Sequence, residues 1–180
     1  MSRASQVILT NMCLIEDGKG NIVMQIRDPE RYSWSGAALP GGHVEDKESF
    51  HDSVVREIYE ETGLTIEHPQ LVGIKNWHTD EGIRYIVFLY KACAYSGQLR
   101  SSEEGQVRWV NRRDLPKMDL AYDMLALLRV FDEAALSEYF YHDKVDGRWQ
   151  KKFYWICDFM QIFEFQSPYP PWQMYFYKLK

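Results

Sequence analysis

Residues 42–64 read GHVEDKESFHDSVVREIYEETGL. Phe50, Val54 and Ile58 recur at four-residue spacing, which predicts a helix over Glu48 to Thr62. Gly63 then stands where a left-handed C-cap belongs. At roughly 100° per residue, the three apolar side chains fall within about 80° of one another. Glu61 projects between Phe50 and Val54, and Glu57 lies just beside Phe50. Two carboxylates therefore point along the margin of the face that should meet the core. Like charges four residues apart repel, and a partly buried carboxylate loses hydration. Protonation, pairing with arginine or metal binding would each relieve the cost. Arg56 can pair with Glu60 four residues on, but on this reading it cannot also neutralise Glu57 and Glu61. Oxygen ligands at this density suit Mg²⁺ or Mn²⁺, which keep several positions for water and substrate phosphates. The competing reading is a solvated charged face, and the register with the apolar stripe argues against it.

On the N-terminal side of this helix, Pro40-Gly41-Gly42 permits a tight turn that could bring a backbone carbonyl to a metal, although an ordinary turn is the commoner meaning. Glu48, in the predicted first turn, suits the helix dipole. Further out, Val7 to Ile15, Ile22 to Ile26, Leu71 to Lys75, Tyr85 to Ala94 and Val107 to Val110 read as strands. Ala37 to Leu39 is a short apolar piece, and Asp119 to Phe131 reads as a second helix. This order predicts a mixed sheet with helices on its faces.

The bulk properties set the class. A chain of 180 residues with 46% hydrophobic and 26% charged residues is of single-domain size with an ordinary globular composition. A net charge of -5 excludes a generally electrostatic nucleic-acid binder. Cys13, Cys93 and Cys157 are scattered and odd in number, which fits neither a disulfide framework nor a zinc site and suggests a reducing, cytoplasmic setting. No signal peptide and no membrane span are read from the apolar runs. Residues 154–180 hold ten of the 27 aromatic residues together with Pro168, Pro170 and Pro171. That stretch reads either as a terminal strand and an irregular extension, or as a homodimer contact.

Gly42, Glu48, Arg56, Glu57, Ile58, Glu60, Glu61, Gly63 and Leu64 together match G-x5-E-x7-R-E-U-x-E-E-x-G-U, with U a bulky apolar residue. The chain thereby resembles the Nudix hydrolases. The resemblance implies an α/β/α sandwich (an α+β fold) around a mixed β-sheet, with residues 1–153 as the Nudix domain and 154–180 as an aromatic-rich extension. It implies water attack on a diphosphate phosphorus, with Glu57, Glu60 and Glu61 holding Mg²⁺ (or Mn²⁺). Glu57 would serve as general base, Arg56 would orient the carboxylates, and Gly41 or Gly42 would offer a carbonyl. Many members add a later glutamate, and Glu104, preferred to Glu103, occupies that place here. An acidic surface turn is the other reading of that pair.

The pattern leaves the leaving group open. The stretch Trp34-Ser35-Gly36 through Gly42 looks most like the MutT branch, which implies a nucleoside triphosphate, such as the oxidised purine 8-oxo-dGTP, cleaved to monophosphate and pyrophosphate. ADP-ribose or another nucleoside diphosphate derivative is the alternative substrate, and a non-catalytic nucleotide sensor the alternative of another class. Arg27, ending the second strand, matches the phosphate-contacting arginine of MutT-type members. Ser35 stands where some purine-sanitising members carry asparagine, and its single hydroxyl cannot make the paired contact with a base edge. Asn11, Tyr122 and Asp123 are the candidate base contacts in its stead, with Trp34 and Trp77 as stacking candidates.

Overall fold

The computed structural model describes residues 4–27, 36–121 and 123–156. The chain runs β1 (Val7–Ile15), β2 (Asn21–Arg27), β3 (Gly36–Ala38), α1 (Phe50–Thr62), β4 (Leu64–Glu67), β5 (Gln70–His78), β6 (Arg84–Ala92), β7 (Ala94–Gly97) and β8 (Gly105–Asn111). A 3-10 turn (Arg112–Lys117), α2 (Met124–Asp132), β9 (Leu136–Val145) and β10 (Arg148–Trp155) complete it. The main sheet is mixed and ordered β1-β6-β5-β9-β10, with β1 parallel to β6 and β5 parallel to β9. A three-stranded antiparallel sheet, β3-β2-β8, stands beside it, and β4 pairs with β7.

Alternation along β1 divides the core into two layers. Cys13 and Ile15 pack with Val54 and Ile58 of α1, while Leu14 packs with Leu127 and Leu128 of α2. A helix thus covers each face of the main sheet, as expected of the α/β/α sandwich. Within α1, Val54 and Ile58 are fully buried, whereas Phe50 is 42% exposed and stacks on Phe88 at 4.2 Å. Among the described residues no helix is long and apolar enough to cross a membrane.

Three expectations change. First, α1 begins at Phe50 rather than Glu48, because Ser49 takes the N-cap and its hydroxyl accepts from Asp52 N at 3.0 Å. Glu48 is thereby outside the helix and folds back onto it. Its C-terminal end is as read, with Gly63 at φ 73° donating to the Tyr59 carbonyl at 2.8 Å.

Second, Asp119 to Ala121 is not helical. Ala37 N donates to the Asp119 carbonyl at 2.9 Å and Ala121 N to the Ala37 carbonyl at 3.0 Å, so this segment pairs alongside β3. Gly36 lets it approach, since a Cβ there would lie 2.7 Å from Ala121 N.

Third, β9 and β10 form a hairpin through Asp146 and Gly147, both at positive φ, and extend the main sheet. β10 runs through Trp155, across the expected division at 153/154. The rest of the aromatic extension, and with it the dimer-contact reading, falls outside the described residues.

Candidate functional site

The loop before α1 is laced onto β1. Cys13 N donates to the Pro40 carbonyl at 2.9 Å, Asn11 N to Gly42 at 2.8 Å, and the Val44 N–H to Leu9 at 3.0 Å. This path passes so close to β1 that a Cβ at Gly41 would collide with the Asn11 carbonyl and lie 2.7 Å from Met12 Cα. Gly41, at φ 145°, then points its N–H at Glu61 Oε2, 2.7 Å away. Because the Gly42 carbonyl is taken by Asn11 N, the Gly41 carbonyl is the better candidate of the two for an outside ligand. Asn11 ties the loop to the helix from below. Its Nδ2 donates to Ser53 Oγ at 2.8 Å, and Ser53 Oγ donates to the His43 carbonyl at 3.3 Å.

Arg56 organises the other side. Its Nε and Nη2 donate to the two oxygens of Glu48 at 2.8 and 2.9 Å, a bidentate pair. Nη1 donates at 3.0 Å to both Glu57 Oε1 and Glu60 Oε2, and Nη2 also reaches the His43 carbonyl at 3.0 Å. The expectation that Arg56 could not serve Glu57 is corrected, because the flat guanidinium spreads its donors over three carboxylates. The hydrogen bond from Arg56 holds the Glu48 carboxyl well below the usual range, at about 2.

Glu61 faces the opposite situation. It is 2% exposed, and burial pushes its carboxyl well above the usual range. The Gly41 N–H and the neighbouring Gln25 side chain work against that rise, while the Glu104 carboxyl adds to it. Glu57 is also raised, first by burial, against the pull of Arg56, with Glu60 and Glu104 adding repulsion. Glu104 therefore acts on both Glu57 and Glu61 across the gap between α1 and the turn before β8, and Glu60 sits at its solvent edge with 56% of its side chain exposed.

This donor set fits a divalent cation in kind. It is all oxygen and of one sign, and in Glu61 it is buried deeply enough to need a countercharge. Among the described residues no three acidic, histidine or cysteine side chains are already closed to metal-ligand spacing.

The Glu57 carboxylate is packed against Gly42, where a Cβ would collide with both of its oxygens. Gly42→Ala should therefore keep the fold, because the obstacle is the end of a side chain, but displace Glu57. Turnover should fall by at least about tenfold, since small misplacements of reacting groups are that costly. Steady-state kinetics beside a melting curve checks it, and wild-type kcat/KM would show that Glu57 tolerates displacement.

Of the other expected residues, Arg27 closes β2 in register with Gly36 and Gly105, one residue from Glu104. Asn11 is 3% exposed, and its described contacts are those of a framework residue. Asp123 accepts from the Tyr141 hydroxyl at 2.8 Å and is ion-paired with Lys151. Ser35, Trp34, Tyr122 and the Arg27 side chain lie outside the described residues. Gln25 was not expected at the site. Its signal was a polar residue inside the continuous apolar run of β2, and it is fully buried against Glu61.

The NUDIX domain model matches residues 9–131. The Nudix hydrolase YvcI of Bacillus subtilis is 36% identical over 118 residues, covering 63% of this chain and 71% of that protein. The human 8-oxo-dGDP phosphatase NUDT18 is 28% identical over 113 residues, covering 60% of this chain but 34% of its own length. The crystal structure of the MutT protein from Bacillus halodurans superposes with a TM-score of 0.68 at 25% identity, covering 82% of this chain and 97% of that one.

Proposed function

The chain belongs to the Nudix family of hydrolases, and we propose that it cleaves a nucleoside triphosphate to the monophosphate and pyrophosphate. The reading is carried by the convergence of Glu57, Glu61 and Glu104 beside the Gly41 turn, with Arg56 spanning Glu48, Glu57 and Glu60. Glu57, Glu60, Glu61, Glu104 and the Gly41 carbonyl would hold Mg²⁺ or Mn²⁺, which supplies charge neutralisation at the phosphates and an acidified water. Glu57 takes the proton of the attacking water. Desolvation raises its basicity toward what a general base needs near neutral pH, and Arg56 fixes the carboxylate in place. Glu61, buried and anchored by the Gly41 N–H, is the rigid member of the set. Arg27, beside the Glu104 turn, contacts the phosphate chain, and Asp123 with Tyr122 and Ser35 meets the nucleoside. Asn11 acts at one remove, by holding the loop to the helix.

A nucleoside diphosphate or diphosphate derivative is the second reading. It is favoured by the human relative, whose name specifies a nucleoside diphosphate rather than a triphosphate. Both readings are tested by one panel: triphosphates, diphosphates and ADP-ribose with Mg²⁺, scored for pyrophosphate against phosphate release and, for ADP-ribose, for release of AMP. Pyrophosphate release from triphosphates is the expected result. Phosphate release confined to diphosphates, or AMP release confined to ADP-ribose, would move the assignment to the second reading, and no turnover of any anhydride would remove both.

A further inference from the structure

Residues 98–102 form a strap between β7 and the turn that carries Glu104, and this strap is fastened to the C-terminal turn of α1. β7 brings it there, since Gly97 pairs in register with Leu64, the residue after Gly63. Leu99 packs on the core layer that holds Val54 and Ile58. Arg100 N donates to the Thr62 carbonyl at 2.8 Å, satisfying one of the acceptors that a helix leaves open at its end. The stem of Arg100 lies over Gly63, where a Cβ would come within 2.5 Å of Arg100 Cγ and 2.8 Å of its Nε. The guanidinium reaches on to the ring of Tyr59, 5.5 Å from its centre. Gly63 therefore has a second task beside its left-handed cap: it leaves room for the strap.

From this anchor the chain is pinned step by step as far as Glu104. Ser101 Oγ accepts from Val107 N at 3.1 Å, and Ser102 Oγ accepts from Glu104 N at 3.2 Å. Gly105 N donates to the Ser102 carbonyl at 3.4 Å. Gly105 and Val107 in turn pair with Arg27 and Gln25 of β2. Glu104 itself is exposed, and the like charges of Glu57 and Glu61 oppose its approach. A solvent-facing glutamate keeps such a position only when the backbone of its turn is held there. On the α1 side, the side chain that does the holding is Arg100.

We infer that Arg100 is a positioning residue for the metal site: clamped over Gly63 and Tyr59, it keeps the Glu104 turn facing α1, so that the Glu104 carboxylate joins those of Glu57 and Glu61 in holding the cation. Arg100 acts through Glu104 and has no part in the chemistry itself. The inference rests on the reading of Glu104 as a metal ligand, and it is independent of which anhydride is cleaved. Leu99 and the backbone bond to Thr62 remain when the Arg100 side chain is cut back, so the expected defect is a loosened Glu104 turn in a folded protein.

The test measures Mn²⁺ binding by calorimetry on the full chain, without substrate, in the wild type, Arg100→Ala, Glu104→Gln and the double variant. Arg100→Ala should weaken binding by about three- to tenfold, the worth of an exposed cation–π contact and its packed stem. Glu104→Gln should weaken it at least as much. In the Glu104→Gln background, Arg100→Ala should change the affinity by less than about twofold, because the carboxylate it positions is gone. An equal loss in both backgrounds, or wild-type affinity in Arg100→Ala, would overturn the inference. Tyr59→Ala gives a second route at a half-exposed position. It should weaken Mn²⁺ binding only while Glu104 is present, and a loss that persists in Glu104→Gln would count against the clamp. If Glu104→Gln binds Mn²⁺ as the wild type does, the ligand reading of Glu104 falls and the inference with it, while Glu57 and Glu61 stand as ligands. If the non-additive pattern is seen but no anhydride is turned over, the inference stands and the triphosphate reading falls.

Discussion

Glu57→Gln should lower kcat by about 10²- to 10⁴-fold, the range that a positioned general base supplies, while leaving the protein folded. Glutamine keeps an oxygen that can still accept from Arg56 Nη1, now 3.0 Å from Glu57 Oε1, so the helix retains its principal contact on that side. What is lost is the negative charge and the ability to take a proton. Burial and the neighbouring Glu60 and Glu104 already oppose that charge, so its removal relieves repulsion. The melting temperature should therefore hold or rise as kcat collapses. Kinetics and calorimetry on one preparation check both halves. Wild-type kcat in the folded variant would dismiss Glu57 as base and as ligand.

Arg56→Ala should act on stability and activity together. It deletes donors to Glu48, Glu57, Glu60 and the His43 carbonyl. The stranded side chains of Glu48 and Glu57 are only 14% and 12% exposed, so water replaces the lost partner poorly. A loss of about 2–4 kcal/mol is expected from charged hydrogen bonds broken on one side in a partly buried setting. Turnover should fall as well, because the same donors orient Glu57 and Glu60. Arg56→Lys should recover part of the stability but not the bidentate hold on Glu48.

The pH dependence separates this account from a general loss of packing. Glu48 is held down to about 2 in the folded wild type, below its ordinary value near 4.5. Its contribution is therefore complete above its unfolded value and is lost as the pH falls toward 2. In Arg56→Ala the melting temperature should depend less steeply on pH over that window. An equally steep slope would show that some other carboxylate dominates there.

The readable parts of this sequence were those in which local chemistry and tertiary structure agree. β1 begins at Val7 and ends at Ile15 as its apolar run does, and α1 ends at the glycine that suits a left-handed cap. Glu104, which the resemblance names as a later glutamate, acts on the charges of Glu57 and Glu61. The boundary at Glu48 differs because Ser49 takes the N-cap, which leaves Glu48 outside the helix to pair with Arg56. Asp119 to Ala121 failed because Leu120 and Ala121 look helical until β3 claims their backbone. The β9–β10 hairpin was missed although Asp146-Gly147 is a strong turn signal. Its alternation is broken by aromatic and charged residues whose partners lie elsewhere, Tyr141 at Asp123 and Lys144 at Asp80.

That hairpin lies beyond the stretch, 9–131, that matches the family model. It is joined to β5 through three register pairs, Ile74 to Asn76 against Glu138 to Phe140, reinforced by Asn76 Nδ2 on Glu138 at 2.6 Å. Yet Tyr141 and Lys151, which engage Asp123, both come from it. The acidic helix and the residues that engage Asp123 thus lie in separable lengths of chain. Exchanging this hairpin for another would change what surrounds Asp123 and leave every residue from Gly42 to Leu64 untouched.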